Sequence, residues 1–252
     1  MRAIRLRSVM LPVSLKNNAE LNERHSATEH PEFGTFDEIR AKALIEKYGL
    51  RAPKRVVLLP EDPEFDQINE LSFPLVMKIL SSDIPHKSDG GFVVLSLETG
   101  RDVQVAFQAM KDKASMIGAS VHGYLIEEMA PRGIEVVVGG VTDKSFGPMI
   151  MFGLGGIYVE VFRDITFRIC PISKVDAEEM IDGLMSKPIL EGVRGGIVAD
   201  RKKLVDLLLR IGGEQGLLMS EQGVVNELDL NPVIVNSDSL TVVDARVVAK
   251  TS

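Results

Sequence analysis

The chain has 252 residues, of which 45% are hydrophobic, 26% charged and 5% aromatic, with a formal charge of −7, one Cys and no Trp. That composition fits a globular protein with room for one large domain or two small ones, and it excludes a disordered chain. Lone Cys170 rules out an intramolecular disulfide framework and suits a reducing, cytoplasmic compartment, while the acidic balance speaks against a protein built to grip nucleic acid.

Residues 1–34 read as an irregular N-terminal arm, in which Arg2, Arg5, Arg7 and Lys16 precede any acid. The longest apolar stretch, Gly147 to Phe162, is rich in Gly and carries Glu160. It falls short of the about 20 apolar residues that a spanning helix needs, so no membrane segment is expected. Folding is expected to begin at Thr35. Thr35 and Glu38 have capping-box spacing, and Gly49 and Pro53 end that helix. Strands follow at Arg55 to Leu59, Leu75 to Leu80 and Phe92 to Leu97, with a short helix from Pro63 to Leu71. A helix over Asp102 to Ile117 keeps Val103, Ala106, Phe107, Met110 and Ala114 at helical period.

The middle of the chain is strand-rich. Tyr124 to Met129, Glu135 to Thr142, Pro148 to Phe152, Tyr158 to Phe162 and Thr166 to Cys170 are short runs separated by turn residues. Helices are expected at Lys174 to Leu184 and Arg201 to Gly212, the second with Leu204, Leu207, Leu208 and Ile211 on one face. Strands at Val224 to Leu230, Val233 to Val235 and Leu240 to Val247 close an α+β alternation.

Four places carry chemistry. Lys78 interrupts an apolar strand and must reach an anion or water; taken alone, it reads as an edge-strand lysine whose ammonium stays wet. After it comes His86-Lys87-Ser88-Asp89-Gly90-Gly91, either an ordinary hairpin turn or one whose backbone N–H groups, with Lys87 and Ser88, suit phosphate oxygens. His86 stands at its mouth, and imidazole is a nucleophile toward phosphoryl groups. The connector from Glu127 through Met129 and Ala130 to Glu135 can offer backbone groups to an adenine edge and a carboxylate to ribose; its plainer reading is two solvated acids at a hairpin. Near the C-terminus, Asp229, Asn231 and Asp244 form a possible hard-oxygen set for Mg²⁺, or else ordinary polar positions on a hairpin. Glycine clusters at Gly153 to Gly156 and Gly192 to Gly196 pass as turns. Zinc motifs and a serine nucleophile elbow are absent from the sequence.

In order and spacing, these segments resemble the ATP-grasp β subunit of ADP-forming acyl-CoA synthetases. The resemblance runs through FPLVMKI (Phe73 to Ile79), HKSDGG (His86 to Gly91) and the run from Phe146 to Ser173. It continues through RGG (Arg194 to Gly196), LDLNP (Leu228 to Pro232) and VDAR (Val243 to Arg246). The resemblance implies an α+β ATP-grasp fold of two lobes clamping a nucleotide, the first about residues 35–127 and the second about 128–249. It implies phosphate contacts by Lys78, Lys87, Ser88, Gly90 and Gly91, and a hinge for adenine and ribose at Glu127, Met129, Ala130 and Glu135. Asn231 and Asp244 are implied as Mg²⁺ ligands, with Asp229 beside them. His86 is implied in a phosphohistidine relay, with Arg194 or Arg246 helping to neutralise charge. Phe92 departs from the pattern, standing where many relatives have another Gly, and is expected to alter the loop.

The cofactors implied are ATP or ADP with Mg²⁺, and the partner a CoA-binding α subunit, in an α2β2 assembly. The reaction implied is acyl-CoA + ADP + phosphate ⇌ acid + CoA + ATP. A general ATP-grasp carboxylate ligase and a non-catalytic nucleotide-sensing module are the rival readings.

Overall fold

The computed structural model describes residues 35–36, 38–84, 87, 90–156 and 163–250. The first elements are β1 (Thr35–Phe36), α1 (Glu38–Lys47), β2 (Arg55–Leu58), a 3-10 turn (Phe65–Glu70), β3 (Leu75–Leu80) and β4 (Val93–Leu97). Next come α2 (Gly100–Met116), β5 (Gly123–Glu128), β6 (Ile134–Asp143), β7 (Gly147–Leu154) and β8 (Ile165–Ile169). The remainder is α3 (Lys174–Asp182), α4 (Lys187–Leu190), a second 3-10 turn (Val193–Gly195), α5 (Arg201–Gly212), α6 (Leu217–Ser220), β9 (Val225–Val235), β10 (Leu240–Val242) and β11 (Ala245–Ala249). The chain divides into two compact units. One is Pro53–Met129; the other joins Glu29–Ala52 to Ala130–Ser252.

The first unit is a four-stranded antiparallel sheet in the order β2-β5-β3-β4. Helix α2 starts where Thr99 and Asp102 cap one another reciprocally, which satisfies N–H groups that the first helical turn leaves open. Its expected stripe, Val103, Ala106, Phe107, Met110 and Ala114, is buried. The Phe107 ring meets Tyr124 of β5 at 4.5 Å and Phe65 edge-on at 5.4 Å. Leu75, Met77 and Ile79 of β3 join the same core. Because β3 lies between β5 and β4, Lys78 is not on an edge strand, and the wet-lysine reading fails.

The second unit carries a seven-stranded sheet, ordered β1-β11-β9-β6-β7-β8 with β10 also paired to β9. One sheet face is apolar and packs with the helices: Val136, Val138, Ile150, Phe152, Leu228, Leu230 and Val247 share a core with Leu204, Leu207, Leu208 and Ile211 of α5. Asp200 caps α5 by accepting from the Lys202 and Lys203 N–H groups, and Arg201 holds Asp182 of α3 through two hydrogen bonds of 2.9 and 2.8 Å.

Several expectations are corrected. Thr35 does not cap a helix; Thr35 and Phe36 pair with Val248 and Val247 of β11, and the helix runs over Glu38–Lys47. Its Lys42 is fully buried and pairs with Glu38 at 2.9 Å. That helix, expected in the first lobe, belongs to the second unit, because β1 adds to the second unit's sheet and carries α1 with it. Val225–Val235 is one strand where two were expected, and the run expected over Leu240 to Val247 is broken at Val243 and Asp244 into β10 and β11. Short helices α4 and α6 were not expected at all. The strand expected at Tyr158 to Phe162 lies outside the described residues.

Candidate nucleotide-binding residues

In the first unit, Lys78 and Glu127 face one another across the β3–β5 pairing. Lys78 Nζ lies 2.9 Å from Glu127 Oε2, with the two side chains 7% and 0% exposed. The register explains the meeting: Val76 stands opposite Glu127 and Lys78 opposite Leu125, so both side chains fall on the same sheet face. Glu127 is therefore not a solvated hairpin acid, and an ammonium held this way is a fixed positive charge in a dry place. Glu128 does not share its role; its carboxylate accepts from the Ser72 N–H at 2.9 Å.

At Met129 the backbone N–H donates to the Pro74 carbonyl at 3.0 Å, and the thioether accepts from the Ser96 N–H at 3.2 Å. The Met129 N–H is thereby engaged within the fold. In the loop before β4, the Phe92 N–H donates to the Lys87 carbonyl at 2.7 Å, and the Phe92 side chain is buried in the unit's core. The departure at Phe92 thus roots the loop's C-terminal end in the core. Lys87, Gly90 and Gly91 are in that loop, whereas His86 and Ser88 lie outside the described residues.

In the second unit, Asp229 of β9 is flanked by Arg246 on β11 and Gly139 on β6, as direct register partners. Leu228 and Leu230 point into the core, which leaves Asp229 on the opposite face. Burial raises the Asp229 carboxyl above its ordinary value. The Asp244 charge adds to that and Arg246 opposes it, while Glu227 raises it further. Asp244 sits in the break between β10 and β11, where its carbonyl accepts from the Asn231 N–H at 3.3 Å. The break thereby draws Asn231 and Asp244 together beside Asp229.

This donor set is all hard oxygen, which fits Mg²⁺. Among the described residues no three His, Cys, Asp or Glu side chains form a cage. Mg²⁺ here would complete its shell with phosphate oxygens and water, its usual habit.

Glu135, exposed at the start of β6, backs onto the glycine cluster. The Gly155 N–H donates to the Glu135 carbonyl at 2.7 Å, and a Cβ on Gly155 would stand 2.9 Å from Glu135 Cβ. Ala130 begins the second unit's long segment, and the Arg194 side chain lies outside the described residues.

A buried lysine–glutamate strand pair, a glycine turn, and an Asp, Asn and Asp group on a second sheet are features of a nucleotide-binding chain of the ATP-grasp class. The ATP-grasp domain family matches residues 29–249, and the chain belongs to that family. More narrowly, it is 37% identical over 231 residues to subunit beta of ADP-forming acetate–CoA ligase I of Pyrococcus furiosus, covering 91% of this chain and 96% of that one. Acetyl-coenzyme A synthetase 1 of Ca. Korarchaeum cryptofilum, solved with coenzyme A and Ca-AMPCP, superposes with a TM-score of 0.79 at 33% identity, covering 92% of this chain and 99% of that one. A second structure of that enzyme holds coenzyme A and Mg-AMPPCP, its phosphohistidine segment pointing towards the nucleotide-binding site; the TM-score is 0.74 at 35% identity, with 86% and 93% covered. Among the described residues no helix is long and apolar enough to cross a membrane.

Proposed function

We propose that this chain is the nucleotide-binding β subunit of an ADP-forming acyl-CoA synthetase, an acid–thiol ligase completed by a CoA-binding α subunit. The observation that carries the reading is the near end-to-end match to the Pyrococcus furiosus subunit beta. The reaction is acyl-CoA + ADP + phosphate ⇌ acid + CoA + ATP, and on this chain it reduces to moving a phosphoryl group between a phosphohistidine and ADP. A cytoplasmic α2β2 assembly belongs to the same proposal.

The residue roles follow from chemistry. Phosphoryl transfer spreads negative charge over oxygens, so it needs fixed positive charge and aimed N–H groups. The first unit supplies Lys78, already desolvated and held by Glu127, and the turn with Lys87, Ser88, Gly90 and Gly91. The backbone of Met129, with Ala130 and Glu135, serves the adenine and ribose. Mg²⁺, when bound by Asn231, Asp244 and Asp229, neutralises charge on the phosphates. Arg246, already beside Asp229, adds a second cation, and Arg194 is the alternative. His86 receives and returns the phosphoryl group.

Mixed with its α subunit, the protein should make ATP from acetyl-CoA, ADP and phosphate, and His86→Ala should abolish turnover with ADP affinity within about threefold of the parent, a change of under about 1 kcal/mol. Full turnover in His86→Ala refutes the relay. ATP hydrolysis coupled to an amine without CoA would support the general ligase, and nucleotide binding with no turnover the sensing module.

A further inference from the structure

The loop before β4 is gripped by a side chain that none of these roles uses. Lys113, in the last turn of α2, donates from Nζ to the Gly90 carbonyl at 2.5 Å and to the Gly91 carbonyl at 3.4 Å. The same ammonium lies 4.9 Å from the centroid of the Phe92 ring, within cation–π range. Gly91 has φ of +64°, a backbone conformation that favours glycine, and a Cβ there would stand 2.7 Å from Lys113 Nζ, so any larger residue would have to move the ammonium. Phe92 is fixed on both sides: its N–H donates to Lys87, and its carbonyl accepts from the Ile79 N–H at 3.1 Å. All of these groups belong to the first unit.

A trans peptide is planar, and its C=O and the following N–H point in opposite directions. With the Gly90 carbonyl turned onto Lys113, the Gly91 N–H is turned to the other side of the loop. Left to itself, a Gly-Gly pair samples widely, and a ligand must supply the free energy that orders it.

We propose that Lys113 is a positioning residue for the nucleotide phosphates: by holding the Gly90–Gly91 peptide in one orientation, it presets the Gly91 N–H as a donor to a phosphate oxygen of a nucleoside di- or triphosphate. The inference rests on the assignment of this loop to phosphate. Phe92 completes the device, since its buried ring keeps the ammonium over the two carbonyls. Lys113 touches no reacting atom; it acts through the loop.

The test is calorimetric titration of the full chain with Mg·ADP, Mg·ATP and adenosine, for the parent, Lys113→Met and Lys113→Arg. Losing the preset donor should raise the Kd for Mg·ADP and Mg·ATP roughly tenfold in Lys113→Met, the size of one hydrogen bond to a charged group. Adenosine affinity should not change, since adenosine has no phosphate, and Lys113→Arg should recover most of the loss. A parent chain that binds no ADP overturns the loop assignment and the proposal with it. A parent that binds ADP, with Lys113→Met binding it equally well, overturns only the proposal. Equal weakening toward ADP and adenosine overturns it too, because that is what general loosening of the fold would give.

Discussion

Lys78→Met removes the cation 2.9 Å from a carboxylate that is 0% exposed. At that distance and an effective dielectric constant of about 20, the lost attraction is about 6 kcal/mol. Part is returned, because Lys78 no longer has to be desolvated. Breaking a buried pair from one side costs about 3–5 kcal/mol net. Against a whole-domain stability of about 5–15 kcal/mol, that is a third or more of the total over most of the range and nearly all of it at the low end. Glu127→Gln is milder, about 2 kcal/mol, since the amide oxygen still presents a partial negative charge to the ammonium. The double variant Lys78→Met/Glu127→Gln should lose less than the two singles together, with a coupling of about 2 kcal/mol. Urea unfolding followed by hydrogen exchange of β3 and β5 amides reads the first unit by itself, which matters in a chain of two units. Single losses below about 1 kcal/mol that add within about 0.5 kcal/mol would refute the reasoning.

Two further outcomes are expected. Hydrogen bonds from Arg201, then Lys187, hold the Asp182 carboxyl down at about 2. Its folded value lies below the unfolded one, so its stabilisation is present above about pH 4 and fades as pH falls toward 2. The pair is half-exposed, so Asp182→Asn should cost no more than about 1 kcal/mol at pH 7, and the gap from the parent should close in denaturation curves taken at successively lower pH. Burial pushes the Cys170 thiol up to about 12, so a thiol reagent at pH 8 should leave the native chain unmodified and label one cysteine after unfolding; prompt native labelling would contradict that burial.

The periodic elements were legible because their signals are local. The stripe of α5 and the stripe of α2 show which face is buried before any partner is known, and both are found buried as read. The Lys78–Glu127 pair was not legible as a pair. Its members are far apart in the chain, and only the β3–β5 register brings them together. The edge-lysine reading failed for the same reason, since strand order is not a local property. Thr35 failed differently: its capping-box spacing is real, but pairing with β11 outweighs a local cap, and the pairing partner is at the other end of the chain. Asp229, Asn231 and Asp244 were grouped from strand alternation and again by resemblance, but the break at Val243 and Asp244 that draws the last two together has no sequence signature of its own. Lys113 carried no signal at all, being one more lysine in the last turn of a helix.

The split of the second unit around the first has a consequence for the order of assembly. Residues Pro53–Met129 leave the ribosome as one uninterrupted stretch, and their ends are already neighbours, with the Glu128 N–H donating to the Lys54 carbonyl at 3.0 Å. That unit can complete every strand pairing it has while the rest of the chain is still being made. The other cannot, because its outermost pairing joins Thr35 to Val248 and waits until Val248 has been made. Contacts of such long span are slow to close, and until they close the apolar face of β9 and β6 has no finished cover. The period of greatest exposure to aggregation therefore precedes that pairing and belongs to the sheet carrying Asp229, not to the sheet carrying Lys78.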